Sequence, residues 1–314
     1  MFHAWRRPAV LLVALTALGT GVSACAGSGS TPTATSASQS TTTSSGVTVS
    51  GAFGSTPTVN IPNSPAPKDL TSQTLTQGSG ATVAAGDTLV ANYVGETWAD
   101  KKVFDSSFSR GNPAPFVIGK GQVIPGWDKE LVGKKVGSRV LLTVPPADGY
   151  GSKGNSQAGI KGTDTLVFVV DLVAAYGPNA GGPGTPAPAL PAGWPKVSNT
   201  PGTKPDITSV AGVKTPTKPE SKLVVTGTGD PIDPSKTLMV QLVQTDLATG
   251  KKTQATWGQQ PQEVSAQNVL QVASALSGQK IGSRAVVLVP GSKASGSSPA
   301  QPASVLVIDV VGQF

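Results

Sequence analysis

Six side chains between Tyr93 and Phe168 have the types and spacing of an apolar site with one polar edge. They are five aromatic residues and one acid: Tyr93, Phe104, Asp105, Trp127, Tyr150 and Phe168. Aromatic residues make up only 5% of the chain, so their concentration in one segment predicts a lined apolar cavity. We expect the function of the protein to reside there.

The residues that other common catalytic mechanisms require are missing from most of the chain. The only histidine is His3 and the only cysteine is Cys25, which excludes Ser-His-Asp and Cys-His catalysis and histidine metal ligands in the rest of the chain. The segment from Gly149 to Gly154 has the letters of a dinucleotide fingerprint but follows two prolines and opens no helix, so it reads as a loop. We expect no cofactor and no metal.

The elements that must position these side chains are strands and one short helix. Residues 88–93, 140–144 and 166–173 have the alternation or β-branched content of strands. Pro125 can occupy the first turn of a helix on which Trp127 and Leu131 share a face, and Gly133 can close it. This pattern predicts an α+β fold in which the helix covers one face of an antiparallel sheet.

Composition divides the chain into five segments. Residues 1–24 have the charge, apolar run and small residues of a secretory signal. Residues 25–55 read as a flexible Ser/Thr-rich tether, 56–176 as one globular domain, 177–205 as a Pro/Gly-rich linker and 206–314 as a second domain. The formal charge of +7 is spread in pairs among acids, which favours a solvated surface over a nucleic-acid interface.

The two domains repeat each other weakly, which predicts a duplicated fold. Three segments match in order: 87–90 with 236–239, 136–139 with 281–284, and 166–169 with 306–309. On this alignment the positions of Tyr93, Phe104, Asp105 and Trp127 carry Leu242, Gln254, Ala255 and Val272, and the Tyr150 position falls near Ser295. We therefore expect a second copy without an aromatic site.

The first domain resembles the FKBP-type peptidyl-prolyl isomerases over about 90 residues. The resemblance rests on five blocks in register: residues 103–107, 119–127, 136–139, 150–151 and 165–168. It implies a twisted antiparallel half-barrel wrapped around one short helix, which would occur twice here, and an enzyme that isomerises X-Pro bonds. Proline-containing segments of exported proteins, and the macrolides that this family binds, are the partners it implies.

Carried over by position, the resemblance assigns a role to each site residue. Trp127 would form the floor of the pocket and Asp105 would lie at its rim with Arg110 nearby. The walls would come from Tyr93, Phe104, Val123, Ile124 and Phe168. The Tyr150 hydroxyl and the main-chain N–H of Ile124 would bind the substrate, and Ile160 would lie near the mouth.

Two departures from the family pattern predict a more open pocket. Ala114 occupies a position that is usually aromatic, and Asn155 occupies one where histidine is common. A lipoprotein that binds or scaffolds proline-containing segments without turnover is the alternative function.

The residues Val22-Ser23-Ala24-Cys25 resemble a bacterial lipobox, although leucine is more usual than Val22. The resemblance implies cleavage before Cys25, a lipid on its sulfur, and anchoring to the outer face of the cell membrane. The other interpretation is an ordinary signal peptide with an incidental cysteine.

Overall fold

The computed structural model describes residues 41–42, 45–294 and 300–314. Two large antiparallel sheets organise these residues, one whose strands end at Tyr176 and one whose strands begin at Gly184. We call them, with the elements that cover them, the first unit and the second unit. Within the described residues no helix is long and apolar enough to cross a membrane.

The first unit contains a three-stranded sheet and a six-stranded sheet. Its strands are β1 (Thr41–Thr42), β2 (Thr48–Ser50), β3 (Thr58–Asn60), β4 (Thr71–Thr76), β5 (Thr88–Thr97), β6 (Val103–Ser106), β7 (Ala114–Val117), β8 (Arg139–Val144) and β9 (Leu166–Tyr176). The larger sheet has the order β4-β8-β9-β5-β6, and β7 pairs with β5 beside β6. This antiparallel sheet with its one short α-helix agrees with the sequence prediction.

Helix α1 (Pro125–Glu130) packs against the inner face of this sheet. Pro125 starts the helix because its fixed φ suits the first turn and its missing N–H would be unpaired there. The Asp128 carboxylate accepts hydrogen bonds from the N–H groups of Gly119 and Gly121 at 2.6 Å each. The loop before the helix is thereby tied to the helix itself.

The second unit repeats this strand order with one strand added. Its strands are β10 (Gly184–Pro186), β11 (Lys196–Val197), β12 (Ile207–Ser209), β13 (Glu220–Gly227), β14 (Thr237–Asp246), β15 (Lys252–Ala255), β16 (Gln262–Ser265), β17 (Arg284–Val289) and β18 (Ser304–Gln313), with helix α2 (Ala266–Val272). The large sheet has the order β10-β13-β17-β18-β14-β15, and β16 pairs with β14.

The outer face of the first sheet is covered by residues 45–61, which we call the first strap. Val47, Val49 and Ile61 are buried there against strand residues such as Val169. Composition alone places residues 45–55 in a flexible tether, whereas the structure packs them on the domain. The difference arises because a few valines separated by Ser and Thr suffice for a strand that packs on one face only.

A buried ion pair fixes the first strap. Arg139 on β8 donates to both carboxylate oxygens of Asp171 on β9, at 2.6 and 2.7 Å. The remaining guanidinium N–H groups donate to the carbonyls of Gly51 and Ser55, and the Gly54 N–H donates to Asp171. The strap is therefore held by hydrogen bonds to the charged groups of Arg139 and Asp171, both of which are buried away from water.

The second unit has a corresponding strap, residues 190–213, over the outer face of its own sheet. Arg284 pairs with Asp309 at 2.7 Å and donates to the carbonyls of Ser198, Thr200 and Thr203. The sequence predicts a partly extended spacer over residues 177–205. The structure instead pairs Gly184–Pro186 with β13 and buries part of the remainder.

Strand register adjusts the alignment of the two units. The pairs Arg139–Asp171 and Arg284–Asp309 are each directly opposite on neighbouring strands. Asp309 therefore corresponds to Asp171, and the segment that corresponds to 166–169 is 304–307 rather than 306–309. The match made from the sequence is displaced by two residues. A shift of two residues along a strand keeps the same alternation of apolar side chains, so the sequence pattern fits both alignments.

Candidate functional site

Five aromatic rings pack edge to face on the inner side of the first sheet. Trp127 is at the centre of this aromatic cluster, with ring centroids 5.5 Å from Tyr93, 5.0 Å from Phe116 and 5.4 Å from Phe168. Phe104 meets Phe168 at 5.6 Å. Edge-to-face geometry at these distances is the favourable arrangement for aromatic quadrupoles.

Five separate elements supply these rings. Tyr93 comes from β5, Phe104 from β6, Phe116 from β7, Trp127 from α1 and Phe168 from β9. Trp127 and Phe168 are only 3% and 4% exposed, whereas Phe104 and Tyr150 are half-buried at the edge of the same core. The cluster therefore has a buried floor and an accessible aromatic rim.

A glycine on β5 makes room for two of the rings. A Cβ on Gly95 would lie 2.6 Å from Cζ of Phe104 and 2.8 Å from Cε1 of Phe168, closer than Cβ atoms come to other heavy atoms. Any side chain at this position would displace the rings or the strand. The role of Gly95 could not be recognised from the sequence, because it depends on the space between rings that only the packed fold brings together.

Phe116 on β7 is a member of the cluster that was not predicted from the sequence. Its ring lies 5.5 Å from that of Tyr93. The family pattern directs attention to the usual aromatic position, which is Ala114 here. Side chains two residues apart on a strand share a face, and both Ala114 and Phe116 pack against the inner core, so the period of β7 could have revealed Phe116.

Asp105, Tyr93 and Arg110 form a polar group at one side of the cluster. The Tyr93 hydroxyl donates to the Asp105 carboxylate and accepts a hydrogen bond from Arg110 Nη2 at 2.9 Å. Arg110 also pairs with Asp105. Burial, followed by the hydrogen bond to Asp105, raises the pKa of Tyr93, so the phenol stays protonated as a donor. The guanidinium lies 5.6 Å from the centroid of the Tyr93 ring.

Val123 and Ile124 lead into α1 and border the cluster. Both are half-buried and pack against the inner core. Ile124 precedes the helix in an extended conformation, and its carbonyl accepts from the Trp127 N–H at 3.0 Å. In the described part of the chain no hydrogen bond uses the Ile124 N–H, which leaves this donor available to a ligand.

The loop after β8 carries Tyr150 at the edge of the cluster. Burial raises the pKa of the Tyr150 phenol, and a hydrogen bond with the Asn155 side chain opposes the rise. Asn155 also exchanges both main-chain hydrogen bonds with Ile160, at 2.8 and 2.9 Å, and Ile160 is 4% exposed. Asn155 thus closes the loop that places Ile160 in the core beside the site.

The corresponding positions in the second unit have a different character. Strand register places Leu242 at the position of Tyr93, as the sequence predicts. At the positions of Phe104 and Asp105 it places Thr253 and Gln254. The sequence predicts Gln254 and Ala255 there, so the prediction is displaced by one residue. Val272 is half-buried at the end of α2. Ser295 lies outside the described residues, as do His3 and Cys25.

No group of three or more His, Cys, Asp or Glu side chains in the described ranges has the arrangement of a metal site. The first unit presents an apolar aromatic floor, the unpaired Ile124 N–H and the Tyr150 hydroxyl at its rim, and one carboxylate held by two partners. This arrangement suits the binding of an uncharged, partly apolar group such as a proline ring and its amide.

Comparison with known proteins agrees with a site that binds proline-containing peptides. Residues 80–173 match the model of the family described as FKBP-type peptidyl-prolyl cis-trans isomerase. An FK506-binding protein of Streptomyces anulatus is 41% identical over 118 residues, which cover 38% of this chain and 95% of that protein. A probable FK506-binding protein of Corynebacterium glutamicum is 37% identical over 119 residues, covering 38% and 98%.

The chain belongs to the FKBP-type peptidyl-prolyl cis-trans isomerases. The crystal structure of AtFKBP13 is 32% identical in sequence, and the match covers 35% of this chain and 94% of that one with a TM-score of 0.32. The family match begins at residue 80 and ends at residue 173, so it leaves out the first strap on one side and the second unit on the other. Both of these parts are additions to the matched domain.

Proposed function

We propose that this enzyme accelerates the folding of exported proteins by isomerising their X-Pro bonds at the aromatic cluster of the first unit. The observation that carries the proposal is the convergence of Tyr93, Phe104, Trp127 and Phe168 beside an unpaired Ile124 N–H. Ordered by chain position these residues are far apart, and only the fold of the first unit makes them one surface.

Desolvation of the imide is the main source of catalysis in this proposal. Rotation about an X-Pro bond meets a barrier of roughly 20 kcal/mol, and uncatalysed exchange takes tens of seconds or longer. Twisting breaks the amide resonance, so the twisted form is less dipolar than the planar form. An apolar aromatic surface therefore destabilises the planar ground state more than the transition state, and no proton transfer is required.

Polar groups at the rim hold the substrate in the proposed mechanism. The Ile124 N–H and the Tyr150 hydroxyl would donate to substrate carbonyls, and Arg110 would keep Asp105 and Tyr93 in place. A rate gain of about ten-thousand-fold needs roughly 5.4 kcal/mol, whereas one hydrogen bond contributes about 0.5 to 1.5 kcal/mol. The aromatic surface must therefore supply most of the effect.

A proline-limited refolding assay on the chain without residues 1–24 tests this function. We expect the chain to accelerate the slow refolding phase of a reporter protein in catalytic amounts. The alternative, a lipoprotein that holds proline-containing segments without turnover, is favoured by the half-buried Ala114 at a usually aromatic position. A binder of that kind would retain the reporter without accelerating the phase.

Macrolide binding follows from the same surface. Two relatives are named FK506-binding proteins, and the aromatic floor here offers the same kind of apolar contact. Ala114 and Asn155 make the rim differ from the family pattern. Competition between FK506 and a proline peptide in the refolding assay tests whether both ligands use the aromatic cluster.

The second unit is, in our proposal, a degenerate copy of the isomerase fold. Its support is the shared strand order, the matching buried Arg-Asp pairs, and the two straps held by those pairs. Leu242, Thr253 and Gln254 stand at the positions of Tyr93, Phe104 and Asp105. We expect no turnover from residues 184–314 alone, and measurable isomerisation by that fragment would contradict the assignment.

The lipid anchor is a separate proposal that rests on the lipobox-like residues before Cys25. Acylation there would place the enzyme on the outer face of the cell membrane, where exported chains emerge. In cells, Cys25→Ala should move the protein from the membrane fraction to the soluble fraction. Unchanged partitioning of the variant would argue against the anchor.

A further inference from the structure

The two units meet directly at the end of β9. Beyond Tyr176 the Pro178 carbonyl accepts hydrogen bonds from the Gly258 N–H at 2.9 Å and from Gln241 Nε2 at 3.0 Å. A Cβ on Gly312 would overlap the Tyr176 hydroxyl, so β18 lies against that ring. The second unit is therefore attached to the first by specific contacts rather than by a free linker.

Gln260 carries this contact to the central strand of the first sheet. Its Oε1 atom accepts from the Thr88 hydroxyl at 2.8 Å, and its Nε2 atom donates to the Gly86 carbonyl at 3.4 Å. Thr88 is 5% exposed. One amide of the second unit thus holds both the first residue of β5 and the turn before it.

The segment that Gln260 holds also positions the elements next to the aromatic cluster. Thr88 pairs with Val117, and Leu89 pairs with Phe116 on β7. The Gly86 N–H donates to the Ile118 carbonyl at 2.7 Å, and the Ile118 N–H donates to the Asp87 carbonyl at 3.0 Å. Residues 116–118 are therefore fixed by the same turn, and Phe116 contacts both Tyr93 and Trp127.

We propose that the second unit is an intramolecular brace for the isomerase site and that Gln260 is its positioning residue. The inference rests on the proposed function of the aromatic cluster. Gln260 touches no substrate. Gln260 bonds to the start of β5, and β5 pairs with β7. Strand β7 in turn places the Phe116 ring against the Trp127 indole.

The test compares Gln260→Ala with Gln259→Ala in the chain without residues 1–24. Gln259 is exposed, and among the described residues its side chain bonds only within the second unit, to the Ala255 carbonyl at the end of β15 at 3.3 Å. Coupling through such contacts changes rates modestly, so we expect kcat/KM for a proline tetrapeptide to fall about fivefold in Gln260→Ala, mainly through kcat. Gln259→Ala should match the wild type.

A spectroscopic measurement separates positioning from general loss of stability. In chains with ¹⁵N-labelled tryptophan, Gln260→Ala should shift the indole N–H resonance of Trp127, while those of Trp98 and Trp194 stay in place. Unchanged kcat with an unchanged Trp127 resonance would overturn the brace. An equal effect of Gln259→Ala would overturn it as well.

A second variant approaches the same contact from the first unit. Thr88→Val keeps the shape of the side chain but removes the hydroxyl donor, and should lower kcat as Gln260→Ala does. The double variant should lose no more than Gln260→Ala alone, because Gln260→Ala already removes the hydrogen bond that Thr88→Val removes. Additive losses would show that Gln260 does not act through Thr88. An inactive wild type would instead refute the proposed function.

Discussion

Trp127 and Phe168 meet edge to face with ring centroids 5.4 Å apart, one from the short helix and one from the longest strand of the first sheet. Both rings are almost fully buried, so this pair connects the helix to the sheet as well as forming the floor of the site. Changes to the floor therefore affect both packing and activity, and informative variants must separate the two.

Gly95→Ala perturbs the rings without removing them. The new Cβ would lie 2.6 Å from Phe104 and 2.8 Å from Phe168, and overpacking of this kind costs about 1 to 3 kcal/mol of stability. We expect a folded domain whose kcat/KM is about tenfold lower, equivalent to roughly 1.4 kcal/mol. Kinetics and a denaturation curve on the same sample check this, and wild-type activity in the variant would show that ring placement is unimportant.

Tyr150→Phe should be a mild variant. It removes one phenolic donor, and a single hydrogen bond is worth about 0.5 to 1.5 kcal/mol, or roughly two- to thirteenfold in rate. Half-buried Tyr150 keeps its ring in the variant, so the apolar surface is retained. Steady-state kinetics test the ranking. Loss of nearly all activity would mean that the hydroxyl, and not desolvation, dominates catalysis.

Arg139→Met should destabilise the first unit strongly. It leaves the Asp171 carboxylate buried without its cation and frees the carbonyls of Gly51 and Ser55. Breaking a buried pair in this way costs about 3 to 5 kcal/mol. Arg110→Met is the matched control, since its ion pair with Asp105 is exposed and such pairs contribute about 0 to 1 kcal/mol. Equal unfolding midpoints for the two variants would contradict the role given to the strap.

The second unit should respond to pH through Asp309. Its Oδ2 atom has no hydrogen-bond partner in the described part of the chain, whereas both oxygens of Asp171 are bonded. Burial raises the pKa of Asp309 to about 6, although Arg284 opposes the rise. An unfolded aspartate titrates near pH 4, so ionisation favours the unfolded state as pH increases from about 4 to 6.

The comparison that isolates this group is between the wild type and Asp309→Asn, which cannot ionise. Hydrogen exchange of amides on β17 and β18 reports the stability of the second unit at each pH. The stability of the wild type relative to the variant should decrease between about pH 4 and 6 and stay level above that. An increase over the same interval would mean that the ion pair with Arg284 outweighs desolvation.

Sequence reasoning found the aromatic cluster because its members are rare residue types in a recognisable order. Tyr93, Phe104, Trp127 and Phe168 could each be named before the fold was known. Phe116 and Gly95 could not be recognised as easily, since one lies two residues from the expected aromatic position and the other matters only through the space it leaves.

The two straps could not be predicted from the sequence, for a different reason. Residues 45–55 and 190–205 have the Ser, Thr, Gly and Pro content of flexible segments, and what orders them is a set of carbonyls bonded to Arg139 and Arg284. Every residue has a main-chain carbonyl, so hydrogen bonds to these groups cannot be predicted from composition. The contact between Gln260 and Thr88 was unpredictable for a similar reason, because neither side chain belongs to a motif.

The central claim, that the aromatic floor itself drives isomerisation, is tested most directly by Phe168→Leu in the proline-limited refolding assay. Leucine keeps an apolar side chain of moderate size but removes the ring that meets both Trp127 and Phe104. We predict that the wild type accelerates the slow phase and that the folded variant is at least about tenfold slower, a loss of roughly 1.4 kcal/mol of transition-state stabilisation. Equal acceleration by a folded Phe168→Leu variant would contradict the claim.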